Sequence, residues 1–319
     1  MAELPKPSRE TVSRREIPER PLRDILRETI DDLTKTLRLL TAYGVKVPAG
    51  SRLHQAQEIL EEALASGRLV PSQRGDDLGL RSLELSLDYS AIASTLPTAG
   101  IASVRRELRD SLTGPLAPPD TDRGPLQLQS QFVVRAALVR SGLDPSHPAT
   151  SSRRGKAPDL VVTNSTDEYA VEVKRPQSAK NVIPRLASAR DQLAAVGLPG
   201  AVLVDVTDCL RGLTGKDVDA EIRRLALGIY DEVFENGVGH RKGYEGIMVA
   251  GTFARVAWNA TPTATGAMVE IHNSSTIGVF ADAPDTPADR NSKWLRARLE
   301  DGLGRLEQTL DERHRQASS

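Results

Sequence analysis

Apolar residues recur at helical spacing along the first third of the chain. Leu22, Leu26, Ile30, Leu33, Leu37 and Leu40 follow one another at steps of three and four, lining one face of a helix whose other face is charged. Gly44 and Pro48 end that helix. The pattern predicts a second helix over Ser51–Ser66, with Leu53, Ile59, Leu60 and Leu64 inward, and two more between Leu78 and Leu112, broken at Pro97–Gly100. Residues 21–113 therefore read as a helical domain, preceded by a Pro-rich, charged stretch, 1–20, without apolar periodicity and expected to be mobile. The first stripe suits a bundle face or the seam of a coiled-coil dimer. Residues 114–125, GPLAPPDTDRGP, are rich in helix breakers and read as a linker.

Beyond the linker the period alternates between helix and strand. Gln127–Arg140 predicts a helix, with Leu128, Phe132, Ala136 and Val139 on one face. Leu160–Thr163 and Tyr169–Val171 are β-branched and aromatic enough for strands. A helix over Ile183–Val196 precedes the apolar strand Ala201–Val206, expected to run parallel to its predecessor because a helix crosses between them. A helix over Asp217–Asn236, strands Ile247–Trp258 and Ala267–Ile271, and a helix over Asn291–His314 complete the pattern. Residues 126–315 thus read as one α/β domain with a mixed sheet.

Charges interrupt this pattern at one place. In Ala157–Pro176 two apolar runs flank the turn formers Asn164-Ser165-Thr166-Asp167, yet Asp159, Glu172 and Lys174 sit along the runs. A hairpin centred between Ser165 and Thr166 pairs residues whose numbers sum to 331, which sets Asp159 opposite Glu172. Opposed residues share a face with Cβ atoms about 5 Å apart, and Lys174 shares it because strand side chains alternate. Two carboxylates this close repel unless a cation lies between them or one is protonated. Oxygen ligands of this kind suit Mg²⁺ or Mn²⁺, with Asp159 and Glu172 as carboxylates and the Val173 carbonyl as a third oxygen. Such a metal polarises a phosphoryl oxygen and acidifies a bound water, and Lys174 would orient that water or meet the developing charge. The plain alternative is a solvated sheet face carrying an Asp and a Glu–Lys pair.

These residues also carry a resemblance. Pro158-Asp159, twelve residues, then Glu172-Val173-Lys174 resembles the signature of the PD-(D/E)xK nuclease superfamily, with both half-motifs on strands of a hairpin and a helix and a buried strand following. The resemblance covers about 126–206. It implies a restriction-endonuclease-like fold and a Mg²⁺-dependent endonuclease hydrolysing phosphodiester bonds, DNA favoured, often in defence against foreign DNA. Asp159, Glu172 and Lys174 would be the catalytic set. Many members carry an acidic residue on the opening helix; this chain has Gln129 and Gln131 there, which tilts the reading toward one metal and leaves Gln131 to orient a water or metal-bound group. Gln192 matches a glutamine that some members use to position substrate. The family's first strand should fall within 144–156, where the sequence shows no clear strand. An inactive nucleic-acid-binding or scaffold protein of the same fold is the alternative.

Composition narrows the partners. At 319 residues, 39% hydrophobic and 27% charged, the chain is long enough for two domains and has a globular balance. A net charge of −1 excludes a general polyanion binder, so nucleic-acid contact must be local. Arg153, Arg154 and Lys156 before the motif, with Arg175, Lys180 and Arg185 after it, are the candidate phosphate contacts. Aromatics at 3% argue against a base-stacking platform. No apolar window reaches the roughly eighteen residues of a membrane span, and MAELPKPSRE lacks a signal-peptide core. A single cysteine, Cys209, fits a reducing, cytoplasmic location. The N-terminal helices leave a homodimer or a protein partner open. The five histidines lack zinc-ligand spacing, and Gly212–Asp217 lacks the glycine and hydroxyl of a phosphate-binding loop.

Overall fold

The computed structural model describes residues 22–67, 78–96, 104–117, 124–146, 157–165, 167–213, 216–239, 247–263, 266–279 and 287–316. It is an α/β chain with eight α-helices and an open, mixed five-stranded sheet among those residues. The segments fall into two compact units. One draws on Pro148–Ala254 and Asn273–Leu303; the other draws on Glu16–His147, Arg255–His272 and Gly304–Ser319.

The helical unit is built from α1 (Leu22–Ala42), α2 (Arg52–Ser66), α3 (Leu78–Thr95), α4 (Arg105–Ser111) and α5 (Gly124–Arg140). The stripe of α1 packs on α2 and α3, the bundle option of the two that its spacing allows. Ser51 caps α2 by accepting from the His54 N–H, and Gly67, at φ +72°, closes it in the left-handed conformation. The sequence pattern groups α5 with the α/β region, but α5 packs against α3 and α4 and lies in the helical unit. The reason is visible along α5 itself. Phe132, Val133, Val134, Ala136, Ala137 and Leu138 are all buried, so the helix is apolar around most of its circumference and serves as a central element of the bundle. The expected linker is correspondingly shorter, since its last residues, Gly124 and Pro125, open α5.

Polar groups cross the core of this unit. Buried Arg52 donates to the Ser111 carbonyl (3.1 Å) and to Gln129 Oε1 (2.9 Å). Gln129 in turn donates to Asp88, which also pairs with Arg255. Tyr89 donates to Ser111 Oγ at 2.6 Å. No periodicity argument anticipates this network, because its members lie far apart in sequence.

The other unit carries the hairpin. Strands β1 (Leu160–Asn164) and β2 (Asp167–Lys174) pair antiparallel with Leu160 opposite Val171 and Asn164 opposite Asp167, the register that the turn residues predict. Ser165 takes φ +55°, the left-handed conformation that a tight hairpin turn requires. α6 (Val182–Val196) returns the chain so that β3 (Gly200–Asp205) lies parallel to β2, with Glu172 beside Val202 and Lys174 beside Val204. α7 (Lys216–Gly239) leads to β4 (Ile247–Thr263), parallel to β3, and β5 (Gly266–Val279) follows as the outer strand. α8 (Pro287–Gln316) places Trp294 on Tyr169 of β2, ring centroids 5.6 Å apart, and buries Leu295 and Leu299. Among the described residues no strand precedes β1; part of 144–156 lies outside them, as do residues 1–20 and Pro97–Gly100.

Gly200 is the tightest point of the β2–β3 pairing, because a Cβ added there would run into the Ala170 carbonyl. Gly200→Ala is expected to destabilise the protein by about 2 kcal/mol, the cost of overpacking a rigid core, read as a lower midpoint in urea unfolding.

Candidate functional site

Strand alternation sends Tyr169, Val171 and Val173 to one face of β2 and Glu172 and Lys174 to the other. Asp159, in the bend just before β1, reaches across the hairpin and accepts the Val173 N–H at 2.8 Å. Lys174 Nζ lies 2.7 Å from Glu172 Oε2 and 3.8 Å from Asp159 Oδ2. The three charges that the sequence singles out thus meet on one small patch.

That patch is not a solvated sheet face. Glu172 is fully buried (0% exposed), and Lys174 is only 8% exposed. One ammonium between two carboxylates leaves a net negative charge in a poorly solvated place. Burial pushes Glu172 up to about 7, reinforced by the negative charge of Asp159 and opposed by Lys174. Asp159 is also raised by burial, with Lys174 and the Val173 N–H pulling against the rise. Glu172 Oε1 is buried without a hydrogen-bond partner. A buried carboxylate oxygen so left is open to a proton or a cation.

Asp159 and Glu172 are therefore the residues that could hold a divalent cation, and their oxygen donors suit Mg²⁺ or Mn²⁺. The Val173 N–H is committed to Asp159, which fixes the peptide joining Glu172 to Val173; the Val173 carbonyl that the sequence reading offers as a third oxygen lies on the next peptide of the same strand. Among the described residues no group of three or more His, Cys, Asp or Glu side chains is arranged as metal ligands.

The remaining sequence candidates disperse. Arg175 is a correction: it is 7% exposed and spent on Asp205 (3.3 Å) and Asp208 (2.9 Å), so its guanidinium is not offered to a phosphate. Lys180, in the short 3₁₀ turn Ala179–Asn181, and Arg185, on α6, are exposed. Gln192 is half-buried on α6, which packs on β2 and β3. Gln131 is half-buried on α5, in the compact unit that does not contain the hairpin, and the neighbouring Gln129 is occupied by Arg52 and Asp88. Arg153, Arg154 and Lys156 lie outside the described residues. The sequence reading missed Asp208. The signal for it was a second carboxylate three residues past Asp205, at the end of an apolar strand.

The proton affinity of the site links its charge to stability. The folded protein holds the Glu172 proton up to about pH 7, whereas the group's ordinary value is 4.5. The contribution is thus fully present below the ordinary value and is lost as pH rises through about 7. In EDTA, wild type is expected to lose up to ~3 kcal/mol more than Glu172→Gln between about pH 5 and about pH 8, measured by urea unfolding. Parallel pH profiles for the two proteins would show that Glu172 carries no such proton.

No family model matches this chain, and neither a curated protein nor a solved structure matches it.

Proposed function

We propose that the protein is a metal-dependent endonuclease that hydrolyses phosphodiester bonds, with DNA as the favoured substrate and a restriction-endonuclease-like fold around its hairpin. The observation that carries the reading is the buried meeting of Asp159, Glu172 and Lys174 on paired strands, with Glu172 Oε1 left open. The sequence of antiparallel hairpin, helix α6 and parallel β3 supports the fold. Stability alone is a poor reason to bury two carboxylates against one lysine, since an apolar cluster of the same volume serves a sheet at least as well.

A divalent cation bound there supplies Lewis acidity and a bound water of lowered pKa. Asp159, in the bend before β1, and Glu172, on β2, would hold it, so the hairpin would set the spacing of the ligands. The Val173 N–H keeps the Asp159 carboxylate from swinging away. Lys174 presents its ammonium beside the same oxygens, where it orients the attacking water and meets negative charge as it grows on the phosphoryl oxygens. The reaction adds water across one P–O bond and leaves a phosphate monoester and an alcohol. Lys180 and Arg185, exposed in the 3₁₀ turn and on α6 after the motif, would meet backbone phosphates. Defence against foreign DNA is the biology this chemistry suits.

Plasmid DNA, single-stranded DNA and RNA incubated with Mg²⁺ or Mn²⁺, beside EDTA controls, test the reading. Cleavage is expected with metal only, and Asp159→Ala and Lys174→Ala are expected to lower it roughly a hundredfold or more. Cleavage that survives both substitutions would sink the assignment. Binding without cleavage, unaffected by either, would favour a non-catalytic nucleic-acid-binding protein.

Lys174 gives a second expectation of opposite sign. Its ammonium competes with a metal for Glu172, so Lys174→Met is expected to bind Mn²⁺ at least as tightly as wild type by titration calorimetry while losing cleavage. Weaker Mn²⁺ binding in that variant would place the metal elsewhere.

A further inference from the structure

β2 and β3 run parallel and end together, and the chain places a second charged cluster just past their C-terminal ends. The ladder ends with Lys174 beside Val204, and Arg175 and Asp205 are the next residues along the two chains. Arg175 Nη1 lies 3.3 Å from Asp205 Oδ2, and Nε donates to Asp208 Oδ2 at 2.9 Å. Asp205 also accepts the Thr207 N–H at 3.0 Å, and Asp208 also accepts from Arg211 Nε at 3.0 Å. The Arg175, Asp205 and Asp208 side chains are 3–4% exposed. Cys209 adds a weak thiol contact to the Pro176 carbonyl at 3.8 Å. Burial, with Asp208 and Asp205 beside it, pushes that thiol up to about 12, so it remains a neutral donor.

Two arginines and two aspartates balance in charge here, and the contacts are mutual, in contrast to the open carboxylate one residue pair away. Arg175 follows Lys174 directly and points to the opposite face of the strand. Its clamp ties the end of β2 to the end of β3 and to the 3₁₀ turn Thr207–Leu210. A planar guanidinium gripped by two carboxylates fixes direction as well as distance, which a lysine at the same place would not. The peptide between Lys174 and Arg175 is held in turn, and with it the line along which the Lys174 side chain leaves the strand.

Resting on the metal-dependent reading above, we propose that Arg175, held by Asp205 and Asp208, is a positioning residue that aims Lys174 and Glu172 at the metal. Groups that orient metal ligands commonly set affinity and rate by about ten- to a hundredfold, and the clamp would act on Glu172 and Lys174 through the backbone of β2 that it anchors.

The test uses the full-length protein with Mn²⁺ alone as the binding probe and plasmid cleavage as the kinetic one. Arg175→Lys keeps the charge and loses the fork. The triple variant Arg175→Met/Asp205→Asn/Asp208→Asn removes the clamp without leaving a buried carboxylate unpaired, and folding of both is checked by circular dichroism and thermal melting. Arg224→Met, which breaks an exposed pair with Glu221 on α7, is the control. Expected for both clamp variants are Mn²⁺ binding about tenfold weaker and kcat lowered about ten- to a hundredfold at unchanged KM, with the control like wild type. Folded clamp variants with wild-type Mn²⁺ affinity and kcat overturn the positioning role while leaving the metal site standing. Wild-type protein that binds no Mn²⁺, or whose binding survives Asp159→Asn/Glu172→Gln, overturns the metal reading and the clamp's role with it.

Discussion

Two carboxylates and one ammonium share a volume that water barely enters, and this charge imbalance is the constraint on which the hairpin unit turns. In water such a triad would cost little; in a sheet interior each uncompensated charge costs several kcal/mol. The protein limits that cost in three ways visible in the structure: a backbone N–H on Asp159, a close ammonium on Glu172, and a carboxyl that holds its proton to about neutrality. Apart from that proton, no donor faces Glu172 Oε1. The triad lies in a region otherwise packed with Val and Ala.

The two charged clusters of this unit differ in kind. Around Arg175 every carboxylate oxygen has a donor or a cation facing it, and the guanidinium is engaged along its length. Around Glu172 the match is incomplete. Only the parallel β2–β3 ladder separates them, so a rigid ion cluster backs an unfinished one. The helical unit repeats the first kind: Arg52, Gln129, Asp88 and Arg255 form a buried chain of donors and acceptors that fixes which helix faces meet. Such networks specify one packing over its near alternatives more than they add stability.

Much of the fold was legible because local rules agree. The α1 stripe and the hairpin register each follow from residues a few positions apart, and the structure has them where the pattern puts them. Less was legible where the deciding partner is distant. α5 is apolar around most of its circumference, which marks a buried helix, but that it is buried against α3 and α4 is decided by packing that its own residues do not name. β4 and β5 run on through polar stretches such as His272-Asn273-Ser274-Ser275-Thr276, which read as loop by composition and become strand by pairing with a neighbour. At the site, alternation placed Glu172 and Lys174 on one face, but nothing local told Arg175 from Lys180. What separates them is Asp208, brought up by the turn after β3.

Cys209 bears on how this molecule can be handled. It is the chain's single thiol, half-buried, and burial, with Asp208 and Asp205 beside it, keeps it protonated at neutral pH. Alkylating reagents attack the thiolate, so near pH 7 the native protein is close to cysteine-free in practice. A cysteine introduced on an exposed helix face would be the one position that takes a fluorophore or spin label. Distances between α6 and any bound oligonucleotide then become measurable in the otherwise unaltered chain.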